Sequence, residues 1–238
     1  MSSTSSINSL HRYFSARYKE ETLPPKARPG KRPVVTLSRE TGAGGVTLGG
    51  KLARYMEFHD GDRESVWGVF DRNLVDKVLE DHSLPGKLGA YMPESPGNEF
   101  EAYIGEILGL HPSLTSLVEK TNETIRKLAK TGNAILVGRG ANLVTASLKN
   151  AFHVRLVCRI EKRIERVQDF YELTYDDAVE SVRRKDKERT HYVQKHFDRD
   201  ITDPLSYHLV VNTGLLSDDE VVALIGDAAL RHAGLKST

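Results

Sequence analysis

The sequence predicts an α/β domain with a five-stranded parallel sheet and helices on both faces. Three observations lead there. Five short apolar runs rich in β-branched residues recur along the chain, and they lack the alternation of a half-exposed strand. Helical patterns separate these runs, so their connections are crossovers and their pairing is parallel. The chain has 238 residues, enough for one sizeable core and a small inserted subdomain.

Residues 1–33 read as a flexible tail. Met1 to Ser9 is Ser-rich, and Leu10 to Glu21 has the makings of a short basic helix bearing Tyr13, Phe14 and Tyr18. Pro24, Pro25, Pro29, Gly30 and Pro33 follow and favour an extended linker. The alternative to a disordered extension is a docking arm for a partner or a neighbouring subunit.

The domain proper spans 34–238. Val34 to Leu37 is the first strand, and a Gly-rich turn then leads into a helix ending near Glu57. Val66 to Phe70 is the second strand, with a helix through Leu74 and Leu79 after it. Ser83 to Glu99, rich in Pro and Gly, reads as a long loop, and Phe100 to Leu110 as a short helix. Ser113 to Lys130 is amphipathic, with Leu114, Leu117, Val118, Thr121, Ile125 and Leu128 on one face. Ala134 to Val137 is the third strand and Phe152 to Cys158 the fourth. A helix follows from Ile160 to Tyr171, and Thr174, with Asp177 three residues on, starts the next. Tyr207 to Val211 is the fifth strand. Ser217 and Glu220 form a capping-box pattern for the last helix, which runs through Ala229.

Composition narrows the function classes. The net charge of +1 gives no bulk attraction to nucleic acid or membrane. The lone Cys158 excludes an intramolecular disulfide framework and a cysteine-based zinc cluster. No window holds the roughly 18 apolar residues of a membrane span, and residues 1–33 lack a signal-peptide core. A cytoplasmic protein is the default expectation.

The stretch richest in chemistry is Val34 to Lys51. Strand, Gly-rich loop and helix together form a phosphate cradle: the glycines let backbone N–H groups converge on an anion, and the helix N-terminus adds partial positive charge. Gly49 and Gly50 inside the helix each cost about 1 kcal/mol relative to alanine, so something there needs close backbone approach. The cradle departs from the G-x-x-x-x-G-K-[ST] pattern, because Gly45 stands where the lysine belongs. Gly45, Gly50 and Lys51 spell that pattern literally, but within the helical periodicity and with Leu52 after the lysine. On a longer loop, Lys51 would be the phosphate lysine. Arg39, at the strand-to-loop junction, is the other cation at hand, with a salt bridge to Glu40 as its plain alternative. Ligands of parallel sheets bind beyond the carboxyl ends of the strands, which gathers the loop, Asp71 and Arg139 on one rim. Asp71 has a second reading as a helix cap. Arg183 to Arg189, taken alone, reads as a solvated charged face with an Arg184–Glu188 pair. His191 and His196 have no partners spaced for metal binding.

Four segments in this order, S-R-E-T-G-A-G-G, V-F-D-R-N-L, L-V-G-R-G and R-R-K-D-K-E-R, resemble the cytidylate kinase-like branch of the P-loop nucleoside monophosphate kinases, from about Val34 to Leu230. The resemblance implies ATP-dependent phosphoryl transfer to a nucleoside monophosphate, CMP or dCMP, with Mg²⁺ bridging the phosphates. It implies an acceptor-binding insertion and a lid over about 160–200. It places Gly42, Ala43, Gly44, Gly45, Val46 and Thr47 on the donor phosphates, with Thr47 also a candidate Mg²⁺ ligand. It places Asp71, Arg139 and Arg184 in the catalytic group; Arg39 departs from the family, standing where the loop's first glycine belongs, and joins this group on its own chemistry, as the cation able to replace part of the missing lysine. Lys77, Glu188 and Arg189 fall on the acceptor, Arg163 and Arg166 on the helix leading to the lid, and Asn212 and Thr213 near the donor adenine. Gly140 departs from cytidylate kinases, which carry an acid there that contributes to pyrimidine recognition. The expected partners are nucleotides, with a homo-oligomer or a tail-bound partner as further options. The missing lysine leaves open a nucleotide-binding regulatory module without catalysis, and Gly140 leaves open a small-molecule kinase with a non-nucleotide acceptor.

Overall fold

The computed structural model describes residues 3–21, 32–61, 64–71 and 117–235. The helix expected after the second strand, with Lys77 on it, the loop from Ser83 and the helix from Phe100 lie outside these residues. Five strands pair in the order β2-β3-β1-β4-β5, all parallel. They are β1 (Val34–Arg39), β2 (Gly68–Asp71), β3 (Ala134–Val137), β4 (Ala151–Val157) and β5 (Leu209–Asn212). The helices are α1 (Ser3–Glu21), α2 (Gly45–His59), α3 (Leu117–Thr131), α4 (Ala141–Val144), α5 (Ile160–Tyr171), α6 (Tyr175–Phe197) and α7 (Asp218–His232). The amphipathic helix expected from Ser113 is described from Leu117, and α4 is a single turn that carried no apolar period to read.

Side-chain alternation divides the core into two layers. Val34, Phe70, Ala134 and Leu136 face α1 and α3. Val35, Leu37, Ile135 and Val137 face α2 and α7. The helix caps follow local chemistry. Thr174 accepts a hydrogen bond from the Asp177 amide at the start of α6, and Ser217 with Glu220 forms a complete capping box on α7.

Strand starts differ from the sequence expectation for identifiable reasons. β2 begins at Gly68 rather than Val66, because the Trp67 N–H donates to the Glu57 carboxylate (3.0 Å) instead of joining the ladder. β5 begins at Leu209 rather than Tyr207, because the Tyr207 N–H closes the turn over Pro204–Ser206 by donating to the Pro204 carbonyl (3.1 Å).

The expected flexible tail is corrected over its helical part. α1 is a structural helix of the domain: Leu10, Tyr13, Phe14 and Arg17 are buried. Tyr13 and Phe14 meet Phe70 edge to face, at centroid distances of 5.3 and 6.2 Å, and the Tyr13 hydroxyl donates to the Gly132 carbonyl at 2.6 Å. The Arg17 guanidinium is paired with Glu20 (2.9 Å) and donates to the Val66 carbonyl (3.3 Å). α1 therefore packs its aromatic face on its own sheet.

Three histidines meet where β4, β5 and α7 converge. The His153 ring lies 4.9 Å from His208, which lies 4.8 Å from His232. His153 Nδ1 shares a 2.9 Å hydrogen bond with the Thr36 hydroxyl. Burial, and then the nearby His208 and His232, lower the His153 pKa from 6.5 to about 4. Burial and His232 lower that of His208 as well. The unfolded chain thus takes up a proton near pH 6.5 that folded His153 refuses until about pH 4. The His153 contribution is full above pH 6.5 and is lost as pH falls, reaching about 2.5 kcal/mol by pH 4.5. Urea unfolding at pH 7.5 and 4.5 should show this loss in the wild type and a shallower one in His153→Gln. Equal pH slopes in the two proteins would contradict the assignment.

Candidate functional site

A cleft of about 1130 Å³ opens over the carboxyl ends of β1, β2 and β3. Arg39, Gly42, Gly44, Gly45, Val46, Thr47, Asp71, Arg139, Arg166, Arg184, Glu188 and Arg189 all line it. The fold thus assembles, from distant parts of the chain, most of the residues singled out in the sequence. Lys77 lies outside the described residues, while Ala43 and Arg163 sit behind the wall.

The Gly-rich loop owes its shape to left-handed backbone at Gly42 (φ 81°) and Gly44 (φ 86°). A Cβ at Gly42 would lie 2.4 Å from the Arg163 carbonyl oxygen, so the loop rests directly on α5. Gly44 ends the loop as the N-cap residue of α2, and the first amides of that helix have no partner within it. Ala43 is an exception to the expected cradle. It is buried, its N–H donates to the Glu40 carbonyl (3.2 Å), and its carbonyl accepts from the Thr213 hydroxyl (3.2 Å).

Arg39 explains the absent lysine. Its side chain runs past Gly45, where a Cβ would lie 2.9 Å from Arg39 Cγ, to Gly138, where a Cβ would lie 1.8 Å from Nη1. A side chain at 45 and the arginine at 39 compete for one volume. The loop therefore carries its cation from the strand side, and Gly45 and Gly138 are the two clearances it needs. Lys51 is not a rival: its ammonium pairs with Asp218 (3.0 Å) and Asp219 (3.4 Å) at the start of α7. The Asp218 hydrogen bond is the main reason its pKa is raised. This discards the longer-loop alternative.

Arg163 and Arg166 brace the loop. Arg163 is buried, forms an ion pair with Asp186, and donates to the Thr41 carbonyl (3.3 Å). Arg166 donates to Thr213 Oγ1 (3.0 Å) and the Thr213 carbonyl (2.8 Å), and approaches the Gly42 carbonyl (3.4 Å). Asp186 is the hub that sequence reading missed. It accepts from both the Thr41 N–H and the Thr41 hydroxyl at 2.7 Å, and pairs with Arg163 and with Arg189 (3.1 Å). One carboxylate thereby fastens α6 to the loop and aligns Arg189, which also donates to Thr41 Oγ1. A single acid in a run of charges gave no signal of this.

On the opposite wall, Arg139 holds left-handed backbone (φ 55°) between Gly138 and Gly140, and its guanidinium sits 5.4 Å from the Tyr192 ring centre. Arg184 pairs with Glu188 at 3.3 Å and remains largely exposed at the rim. Asp71 is the last residue of β2, opposite Val137. A Cβ at Gly140 would lie 2.5 Å from the Phe197 ring, so Phe197 occupies the place an acid would need there. The floor adds groups not foreseen. The Ser38 hydroxyl accepts from buried Arg155 (3.0 Å) and meets the Tyr207 hydroxyl (3.2 Å). Asp200, whose pKa is lowered chiefly by the Thr202 amide, gives this end a fixed negative charge.

Chemically, one wall offers amides and a guanidinium to an anion, and the other offers arginines, an aromatic ring and carboxylates to a second ligand. Among the described residues no group of three or more His, Cys, Asp or Glu side chains forms a metal cage. No described helix is long and apolar enough to cross a membrane.

The sequence matches the model of the cytidylate kinase-like family over residues 34–215. No curated relative matches it. Among solved structures it is similar to an uncharacterized protein from Eubacterium ventriosum, with a TM-score of 0.60, 16% identity, and coverage of 83% of this chain and 98% of that one. Shikimate kinase from Bacteroides thetaiotaomicron gives a TM-score of 0.45 at 14% identity, covering 85% of this chain and 99% of that one. Shikimate kinase from Acinetobacter baumannii, in complex with shikimate, gives 0.43 at 17% identity, covering 90% and 97%.

Proposed function

The chain belongs to the cytidylate kinase-like family, and from that premise we propose that it transfers the γ-phosphoryl group of ATP to a nucleoside monophosphate, CMP or dCMP. The observation that carries this reading is the path of Arg39 between Gly45 and Gly138, which supplies a cation to a glycine loop without a lysine. Phosphoryl transfer asks little covalent chemistry of a protein; it asks for positioning and for neutralisation of spread negative charge. The amides of Gly44 to Thr47 hold the donor phosphates, and Arg39 binds their oxygens from below. Arg139 and Arg189 orient the acceptor phosphate in line. Thr47 and Asp71 both line the cleft with oxygen ligands and suit Mg²⁺, which prefers one or two such groups together with phosphate and water. Bound Mg²⁺ supplies charge neutralisation across the donor phosphates. Asp186 keeps α6, and with it Arg189, against the loop, so that the phosphates react beside a protein wall that limits transfer to water.

A second reading keeps the kinase and changes the acceptor. Phe197 against Gly140 removes the acid that reads pyrimidines, which favours a small non-nucleotide alcohol. A coupled assay of ADP release with Mg-ATP, run over CMP, dCMP, other monophosphates and a set of hydroxy acids and sugars, separates these. Turnover with CMP or dCMP well above the other acceptors is the expected result. Turnover only with a non-nucleotide alcohol supports the second reading, and ADP from no acceptor despite ATP binding would leave a regulatory nucleotide-binding module.

A further inference from the structure

β5 ends the sheet as an open edge. Among the described residues no strand pairs with its outer side, so alternate residues there turn an N–H and a C=O outward. Proteins blunt such edges with charge, proline or a bulge. Leu209-Val210-Val211-Asn212 has none of these. It carries no charge and no proline, and its register against β4 advances residue by residue. Val211 is buried in the core, while Val210, on the opposite face, is 43% exposed.

A leucine stands at each end of this edge. Leu205, five residues before Val210, is 92% exposed, and Leu215, five residues after it, is 73% exposed. Neither lines the cleft. Charge is divided between the same two ends. Asp203 caps the turn that carries Leu205, accepting from the Leu205 N–H at 3.0 Å. At the other end the exposed Lys162 ammonium donates to the carbonyl of Gly214 (2.8 Å), next to Leu215. The edge thus has an acidic end and a basic end, each with a bare leucine, and an apolar centre.

We propose that β5 is the interface between two copies of this chain, paired antiparallel about a two-fold axis at Val210. A two-fold axis reverses the strand, so each end of one edge meets the other end of its copy. With the axis at Val210, Leu205 falls opposite Leu215 of the second copy, and Asp203 is carried toward the second copy's Lys162. An axis at Leu209 or Val211 would set Leu205 against Thr213 or Ser217 and pair no leucines. Pairing at Val210 joins the two sheets into one and leaves neither β5 open. The strand is short and the interface small, so the expected dissociation constant is about 10 μM.

Sedimentation velocity of the full chain, from about 1 to 200 μM, tests this in the wild type, Val210→Lys, Val210→Glu and an equimolar mixture of the two variants. The wild type is expected to pass from monomer to dimer over this range. Either variant alone sets like charges against each other on the axis and should weaken association about a hundredfold. Mixing the two brings opposite charges face to face, and the dimer should return. Leu205→Asp, outside the strand, should weaken association about tenfold. Thermal melts at the lowest concentration, where every form is monomeric, verify folding. A wild type that stays monomeric throughout overturns self-association and leaves the edge to a different chain. A dimer that survives either charge at 210 or Leu205→Asp, or variants that mixing does not restore, overturns pairing about Val210.

Discussion

Arg39→Ala should lower kcat/KM for phosphoryl transfer by about a thousandfold, roughly 4 kcal/mol of transition-state stabilisation. The side chain lies in the space that two glycines leave open, and a Cβ at either would collide with it. It thus brings a positive charge to the loop side of the cleft, where negative charge spreads over the transferred phosphoryl group. Arg39→Lys should recover only part of the loss, because a point charge replaces a planar fork matched to phosphate oxygens. Gly138→Ala tests the geometry from the other side, since its Cβ would lie 1.8 Å from the guanidinium; it should mimic Arg39→Ala in rate. Steady-state rates with Mg-ATP and the best acceptor, alongside thermal melts to verify folding, decide the matter. An Arg39→Ala enzyme within about threefold of wild type would refute this role, since loss of one preorganised donor typically costs a hundredfold or more.

What was legible in the sequence was what local pattern encodes. The five strands and the α5 and α7 helices show through because continuous apolar runs, β-branching, helical periodicity and capping residues act within a few positions. The bounds of β3, Ala134–Val137, match the apolar run, since Gly132 before it and Gly138 after it punctuate the chain. The meaning of Gly45 was not legible. Its lack of a side chain reads as a defect until the chain folds and Arg39 passes over it toward Gly138, a contact across 99 positions. Asp186 escaped for a similar reason. Inside Arg183 to Arg189 it looks like one more surface charge, yet it accepts from Thr41, 145 positions away. Phe197 behind Gly140 belongs to the same class: sequence registers the missing acid, and only packing shows what replaces it.

The tail shows how a local pattern can mislead, and it yields the largest stability effect expected here. Prolines and a Ser-rich start make residues 1–33 resemble a linker, and the weak helical amphipathicity of α1 does not counter them. Tertiary packing decides otherwise. Phe14 is fully buried with Tyr13 and Phe70 in a core shared by Ile125, Leu128 and Leu136. Phe14→Ala removes a large ring from a site bounded by α3 and the sheet, which have little freedom to collapse inward. The expected loss is about 3–5 kcal/mol of unfolding free energy, a large share of a typical domain's stability. Urea unfolding followed by Trp67 fluorescence measures it; Trp67 lies next to β2 and its indole N–H donates to Asp60 (2.9 Å). A loss below about 1 kcal/mol would mean that α1 is not part of the cooperative core. The same substitution has a reading at the cleft. Phe70 precedes Asp71, so loosening the α1 side of β2 frees the strand end that carries this carboxylate. Under conditions where the variant remains folded, its acceptor KM should rise while Mg-ADP affinity, set by the loop between β1 and α2, stays near wild type. A fall in both would place the effect in the whole sheet instead of at the β2 edge.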